Sequence, residues 1–446
     1  MRFLLISDTH GRLGVINELA ARTRADAVIH AGDLGFYDDG SSERLSEREL
    51  RLHVAHSDLP QPEKDRILGL PRAEQTVAAK AACLLGEFQS YVDGRESFRV
   101  PVYTVWGNHE DKDVVERVFR GDVKVGNLHV LHHRQAYRVG PALIYGLGGN
   151  LLPGSKMMQK PIAGGGGRIW STLSQYADLV RAADNETDWP GLRLFVSHVS
   201  PGKEPFVELV AARTRADFTI SGHMGAPTCM VWNPFAINSV EGAVKRLQDG
   251  LESVRHACLN AAGQDAAQVE DVLSLVSRLP EETIHIGRGA KAPRWYRQMT
   301  HVNLPDAHAG HAVLDIADGS AAHLKSSGGG AAQILWKDSG TGVKWAVVRL
   351  GRWSPTVFPV NLTQIGGSQG DQTEPATWRY QVTDIVTGQE LEPNVNPVTP
   401  PHNWARPAVG QMRPATFGYA HYNAQGQLAL GWINEVAEQE GCEEPL

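Results

Sequence analysis

The strongest constraint on the fold is a set of short apolar runs that break off at the same few residue types. Residues 2–7 (RFLLIS) lead into Asp8-Thr9-His10, and residues 27–33 (AVIHAGD) end in Gly-Asp. Residues 100–111 (VPVYTVWGNHED) pass from an apolar run into a Gly-Asn-His turn. Residues 142–150 (ALIYGLGGN), 192–202 (LRLFVSHVSPG) and 217–223 (DFTISGH) complete the series. Each run is short, apolar and rich in β-formers, which reads as a buried strand. A helical pattern over residues 13–24 separates the first two, and strand, helix, strand at this spacing is a βαβ unit. In open α/β sheets ligands sit at the carboxyl ends of the strands, and the polar residues stand at those ends here.

The heptapeptide AARTRAD occurs at 20–26 and again at 211–217. Each copy leads through a short strand to a glycine and then a polar residue, Asp33 in the first and His223 in the second. Two copies make no solenoid. They read as two similar helix–strand units in one sheet, against the alternative of chance similarity between Ala/Arg-rich helix ends.

At 446 residues the chain is long enough for two or three domains. Residues 36–99 carry mixed charge and helical stretches, and are expected to form a cap over the site; residues 240–279 read as two amphipathic helices. Residues 310–319 look like a hairpin closing the core sheet, and KSSGGGAA at 325–332 is the best linker candidate. The expected division is a domain over 1–325, a linker over 326–332 and a β-rich module over 333–446. That last part holds six of the eleven tryptophans in strand-like runs broken by Gly, Pro and Asn, and no catalytic constellation. It is expected to be an all-β sandwich or barrel, and its surface is the place for a protein partner or an oligomer contact.

With 42% hydrophobic and 21% charged residues the chain should pack as a globule. A net charge of −7 does not indicate a broad nucleic-acid surface. The start has too short an apolar run for a signal peptide, and no window of eighteen apolar residues marks a membrane span. Cys83, Cys229, Cys258 and Cys442 lie far apart without a CxxC, so they read as reduced thiols of a cytoplasmic protein.

In chain order the polar strand ends are Asp8-Thr-His10, Gly32-Asp33, Gly107-Asn108-His109-Glu110, His198 and Gly222-His223. They offer oxygens and imidazoles but no thiolate, a donor set for manganese, iron or zinc. Glycines before the ligands allow a sharp turn and close approach. Singly each element is weak, since a Gly-Asp after a strand is usually a turn and a lone histidine usually structural. Five such elements in one order do not arise by chance.

This ordered set resembles the calcineurin-like metallophosphoesterases, whose pattern is DxH, GD, GNHE, a later H and then GHxH. The match covers roughly residues 1–325. DLP at 58–60, VPVYTVWG, IAGGGGRIW at 162–170 and NLPDA at 303–307 are similar to a less characterised branch best represented in fungi, some of whose members lack the Asn-His pair that this chain keeps. The resemblance implies an αββα sandwich with helical insertions, followed by the C-terminal all-β module. It implies that Asp8 and His10 hold a first metal, that Asp33 bridges, and that Asn108, His198 and His223 complete a second. His109 would protonate or stabilise the leaving oxygen rather than bind metal. The cofactors would be two divalent ions, manganese first, with iron or zinc as alternatives. The reaction would be hydrolysis of a phosphomonoester or phosphodiester, by in-line attack of a hydroxide shared between the two ions. The alternatives are a nuclease acting on DNA or RNA, and a non-catalytic scaffold on the same fold; the intact Asn108 and His109 speak against the scaffold.

The chain departs from the pattern at Gly225, where the second histidine of GHxH would stand. Glycine offers no ligand, so the first metal is expected to bind more weakly, held by Asp8, His10, Asp33 and solvent. The glycine run before Arg168 reads either as a loop whose backbone and arginine meet substrate phosphate or as a plain connector, with Lys156 and Lys160 nearby. His53 and His56 could reach the site from one helix face, Asn150 could stand at its rim, and His132-His133 read as surface histidines.

Overall fold

The computed structural model describes residues 1–57, 59–158, 162–223, 230–232, 239–261, 266–285 and 291–316, together with the strands that follow. The chain divides into two compact units, Arg2–His311 and Ala312–Leu446 with Met1.

The larger unit opens with β1 (Arg2–Ile6), α1 (Gly14–Thr23) and β2 (Ala27–His30). Helices α2 (Ser41–Arg44), α3 (Glu47–Ala55), α4 (Gln61–Leu68), α5 (Arg72–Ala81) and α6 (Phe88–Val92) fill the expected cap. Then come β3 (Val102–Thr104), α7 (Lys112–Arg120), β4 (Leu128–Val130), β5 (Tyr137–Val139) and β6 (Ala142–Leu147). A small hairpin, β7 (Ala163–Gly165) and β8 (Arg168–Trp170), precedes α8 (Leu173–Asp184), β9 (Leu192–Ser197), α9 (Pro205–Arg213) and β10 (Phe218–Ser221). The unit closes with β11 (Met230–Trp232), α10 (Val240–Leu259), α11 (Ala266–Val276), β12 (Thr283–His285), β13 (Lys291–Pro293), α12 (Arg294–Gln298) and β14 (Thr300–Asn303).

Strands β1, β2, β3 and β4 form one parallel sheet. The second sheet has the order β11-β14-β10-β9-β6-β5. Its four inner strands are parallel, and β5 and β11 are its antiparallel edges. Every residue of β2, β6, β9 and β10 is buried, as expected of parallel strands covered on both faces. On one face of β1 and β2, Leu4, Ile6 and Val28 pack with Ile16 and Leu19 of α1 and Val114 and Val115 of α7. On one face of the second sheet, Leu143, Tyr145 and Phe195 pack with α8, α9, α10 and α11. The alternate residues, Phe3, Leu5 and Ile29 of the first sheet and Ile144, Leu194 and Ile220 of the second, are fully buried as well, so both sheets are covered on both faces. This is the αββα sandwich. In α10 the buried residues Ala243, Leu247, Leu251, Val254 and Cys258 recur every three or four positions, one helical face.

The AARTRAD repeat is structural. In both copies the second arginine, Arg24 or Arg215, adopts a left-handed φ of 55° that ends the helix. The following aspartates each take the amide of the neighbouring strand, Arg2 N–H to Asp26 Oδ2 at 2.7 Å and Arg193 N–H to Asp217 Oδ2 at 2.8 Å. The two units do not share one sheet, however. β1-α1-β2 belongs to the first sheet and β9-α9-β10 to the second.

The smaller unit contains β15 (His311–Ile316), of which His311 belongs to the larger unit, and then β16 (Ala321–Ser327), β17 (Ala332–Asp338) and β18 (Gly342–Val348). β16, β17 and β18 pair antiparallel. It also contains β19 (Val357–Ser368), β20 (Thr377–Asp384), β21 (Glu390–Leu391), β22 (Phe417–Tyr422) and β23 (Leu428–Trp432), an antiparallel sheet of order β21-β20-β19-β22-β23. The expected hairpin coincides with β15, its tip at 317–320 lying outside the described residues; of the expected linker, 325–327 lie in β16 and 328–331 lie outside them. The compact units part at 311/312, ahead of the expected 325. No described helix is long and apolar enough to cross a membrane.

Candidate active site

The carboxyl ends of the parallel strands gather the polar residues. β1 runs into Asp8 and His10, β2 into Asp33, β3 into Asn108 and His109, β9 into His198 and β10 into His223. Asp8, His10, Asp33 and His223 all hold a positive φ, between 47° and 62°. That region costs an ordinary residue about 1–3 kcal/mol and concentrates at functional sites. Close packing fixes the turns: a Cβ on Gly32 would come within 2.6 Å of the His198 ring, one on Gly107 would overlap Asp33, and one on Gly222 would overlap Ser7 and Asp8.

Asp8, Asp33 and His198 are buried, and each brings a ligand atom within 4.8 Å of the other two. Asn108 Oδ1 lies 2.8 Å from His198 Nε2, and Asp33 Oδ2 lies 3.5 Å from it. The other ring nitrogen, Nδ1, faces the Ala31 carbonyl at 2.9 Å, which fixes the ring. The His223 ring stands edge-on to that of His198 with centroids 5.0 Å apart, while its amide donates to Asp8 Oδ2 at 3.1 Å. A second group, Asp8, His10 and Asp306, also has ligand atoms within 4.8 Å of one another. Asp8 is common to both groups.

Burial alone would raise the Asp33 carboxyl, but His198 beside it outweighs this and holds it well below the usual range. Burial lowers the His198 imidazole, and Asp33 more than reverses that. Glu110 behaves differently. Burial and the Asp33 charge push it up to about 8, and it accepts the amides of Gly35 at 3.1 Å and Gly107 at 2.9 Å. It ties the β2 and β3 loops together rather than facing a ligand.

His109 donates its amide to Asp33 Oδ1 at 2.8 Å, and its Nδ1 lies 2.8 Å from Glu49 Oε2. Glu49 sits on cap helix α3, only 1% exposed, and its other oxygen takes Arg168 Nε at 2.5 Å. Burial opposes a charge on His109, and Glu49 and Asp33 together prevail and raise its pKa. Sequence reading did not find Glu49, because the contact closes over sixty residues of chain and nothing local sets it apart from Glu43 or Glu47. Asp306 was singled out only within NLPDA; a strand followed by an aspartate was the available signal.

Other expectations resolve as follows. Arg168 stands at the site's edge but pairs with Glu49. Its glycine run is neither a loose connector nor an open loop. It is the turn of the β7–β8 hairpin, where Gly166 O accepts from Ser46 N and a Cβ on Gly167 would strike Leu45 and Glu49. Lys156 lies over the Trp170 ring, and Lys160 is outside the described residues. His53 bonds the Tyr37 hydroxyl at 3.0 Å instead of reaching the centre directly. Asn150 pairs through its backbone with Ile169 and Ser171. His133 is not a surface residue: it is 2% exposed and stacks on Phe119, its side of the β4 loop being covered by α7. Gly225 lies outside the described residues.

The family model for the calcineurin-like phosphoesterases matches residues 1–227. One solved crystal structure is similar at 11% identity, covering 73% of this chain and 98% of its own, with a TM-score of 0.35. A dimetal phosphatase from Danio rerio is similar at 11% identity over 77% of this chain and 97% of its own, with a TM-score of 0.26. No curated protein matches the sequence.

Proposed function

The chain belongs to the calcineurin-like phosphoesterases, metal-dependent hydrolases of phosphate esters, and from that premise we propose that it cleaves a small phosphodiester or phosphomonoester with two divalent cations, manganese first. The observation that carries this reading is the convergence of Asp8, Asp33 and His198, all buried and within 4.8 Å, beside the Glu49–His109 pair.

The donors suit the group. Hard carboxylate and amide oxygens with imidazoles, no thiolate, and glycine-cleared space around them match manganese, iron or zinc. Asp8 and His10 would hold one ion, Asn108, His198 and His223 the other, and Asp33 would lie between. When bound, such a pair lowers the pKa of water and offsets charge on phosphate oxygens.

The remaining chemistry belongs to the chain. Glu49 accepts the Nδ1 proton of His109, which leaves Nε2 to carry a second proton to the leaving oxygen. The raised pKa of His109 keeps that proton available near neutrality. The His109 amide on Asp33 Oδ1 steers the other carboxylate oxygen toward His198. Arg168 neutralises Glu49 and stands near enough to meet an anionic substrate. The compartment we read as the cytoplasm, with Cys83 and Cys258 unpaired.

Hydrolysis of p-nitrophenyl phosphate and its bis-ester, with Mn²⁺, Zn²⁺, Fe²⁺ and Mg²⁺ in turn, tests the proposal. We expect turnover that chelation removes and Mn²⁺ restores. Cleavage of single-stranded DNA or RNA without turnover of either small ester would favour the nuclease, and inactivity with every metal the scaffold.

A further inference from the structure

The missing histidine at Gly225 leaves the Asp8/His10 position one protein ligand short in sequence terms. The neighbouring strand supplies an alternative. β14 runs parallel to β10 with Ser221 level with Asn303. The two ends are tied by Leu304 N–H to Ser221 O at 2.7 Å and by Ser221 Oγ to Asn303 Oδ1 at 2.9 Å. The loop that follows β14 therefore leaves the sheet beside the loop that carries Gly222 and His223. Three residues on stands Asp306, in a turn fixed by Ala309 N–H to its carbonyl at 2.8 Å.

The Asp306 carboxylate is half-buried and forms no hydrogen bond or ion pair among the described residues. Yet its oxygen shares a 4.8 Å cluster with one oxygen of Asp8 and a nitrogen of His10. Two carboxylates at that range repel. Natural proteins hold such pairs where a proton or a cation lies between them, and the imidazole of His10 completes a donor set for a cation. Asp8 already belongs to the other cluster, so its two oxygens can serve both.

We propose that Asp306 is a further protein ligand of the Asp8/His10 metal position, beside the shared Asp33, delivered from the end of β14 in place of the histidine that the end of β10 lacks. The inference rests on the two-cation reading above. Its consequence is that the first position binds metal firmly instead of weakly, and exchanges a neutral imidazole for a negative carboxylate. The added charge should favour Mn²⁺ or Mg²⁺ over Zn²⁺ there, because oxygen-rich sites suit the harder ions.

The test is metal content and affinity in the full-length protein, stripped with chelator and dialysed against graded Mn²⁺. Wild type should hold two ions per chain. Asp306→Ala and Asp306→Asn should each hold one at the concentration that fills both wild-type positions, the second requiring at least ~10-fold more Mn²⁺; Asp306→Glu should recover much of it. The exchange-coupled Mn–Mn signal in electron paramagnetic resonance should vanish in Asp306→Ala and persist in wild type. Circular dichroism of the stripped proteins confirms folding, and Asp306→His, which restores the family's ligand chemistry from the same place, answers for any variant that fails to fold: two tight ions there support the proposal, one overturns it. Two ions at wild-type affinity in Asp306→Ala would overturn the role of Asp306 and leave the two-cation reading intact. Fewer than two in the wild type would overturn that reading itself.

Discussion

The β1-α1-β2 and β9-α9-β10 units are built alike and end differently. Both close their helix with AARTRAD, place an arginine at φ 55°, and use the next aspartate to take an amide of the neighbouring strand. Beyond those strands the first unit presents Asp8, His10 and Asp33, and the second His198 and His223. One scaffold thus supplies two carboxylates and an imidazole in its first copy and imidazoles alone in its second. The carboxylate side brings the charge that attracts cations, and the imidazole side brings neutral donors that limit it. The supporting aspartates differ as well. Asp26 is exposed, while Asp217 is 1% exposed and also holds Arg294 Nη2 at 2.8 Å.

The comparison breaks most decisively at the ligands. Asp33→Asn removes the only charge that the β2 end gives the centre, and should abolish ester hydrolysis and empty at least one metal position. His223→Ala removes a neutral donor and should weaken metal binding less. Equal metal loss in the two, measured by elemental analysis after dialysis, would mean that the halves are not divided by charge as described.

Next in size is the acid. His109→Ala should lower turnover by roughly 10²–10⁴-fold, the scale of a lost general acid, with both metals retained. Glu49→Gln should keep metal and KM but shift the pH profile. Glu49 raises the His109 pKa, so its loss should move the alkaline limb of kcat to lower pH. An unmoved limb would show that Glu49 is structural only.

The matched caps give a smaller effect. Asp217→Ala takes from Arg294 its carboxylate at 2.8 Å and leaves it Glu282 at 3.5 Å, and a broken buried pair costs up to about 3–5 kcal/mol. Asp26→Ala should cost far less, because water replaces what it offered. Similar urea midpoints for the two variants would contradict the difference in burial.

The smallest effect is acid sensitivity. Burial pushes His133, in the loop after β4, and His301, on β14, down to about 3. Both stay neutral in the folded chain while an unfolded histidine takes its proton near 6.5. The folded state then binds fewer protons, so stability is fully present above about pH 6.5 and falls as pH drops toward 3. The slope approaches ~1.4 kcal/mol per pH unit per group. His133→Phe should flatten the decline between pH 6.5 and 5, measured by denaturant titration, and an unchanged slope would mean that His133 is protonated when folded.

What could be read from sequence was whatever lies at a strand end. Asp8, His10, Asp33, Asn108, His109, His198 and His223 each follow a short apolar run, and the end of that run marks their place. Even the repeat was visible, though not that its copies divide between two sheets, because identical local residues do not encode which strand they will pair with. For the same reason Glu49 was beyond reach, and Asp306 was seen only as part of NLPDA. One sits on a helix among other glutamates, the other after a proline in a loop, and each gains its meaning from a contact far along the chain. His133 misled because a histidine pair reads as polar, while Phe119 and Trp106 make its surroundings aromatic.

The cap was expected as a lid, and Glu49 makes it something else. A lid can be exchanged between relatives to change which molecules enter, leaving the reaction beneath it untouched. This one cannot. Helix α3 carries the carboxylate that holds His109, the acid we propose, and Ser46 anchors that helix by capping Glu49 N–H at 3.2 Å. A chimera that borrows another cap inherits its glutamate or goes without. In the mechanism we propose, substrate range and proton delivery would therefore be inherited together in this chain, and any redesign of one would begin by conserving position 49.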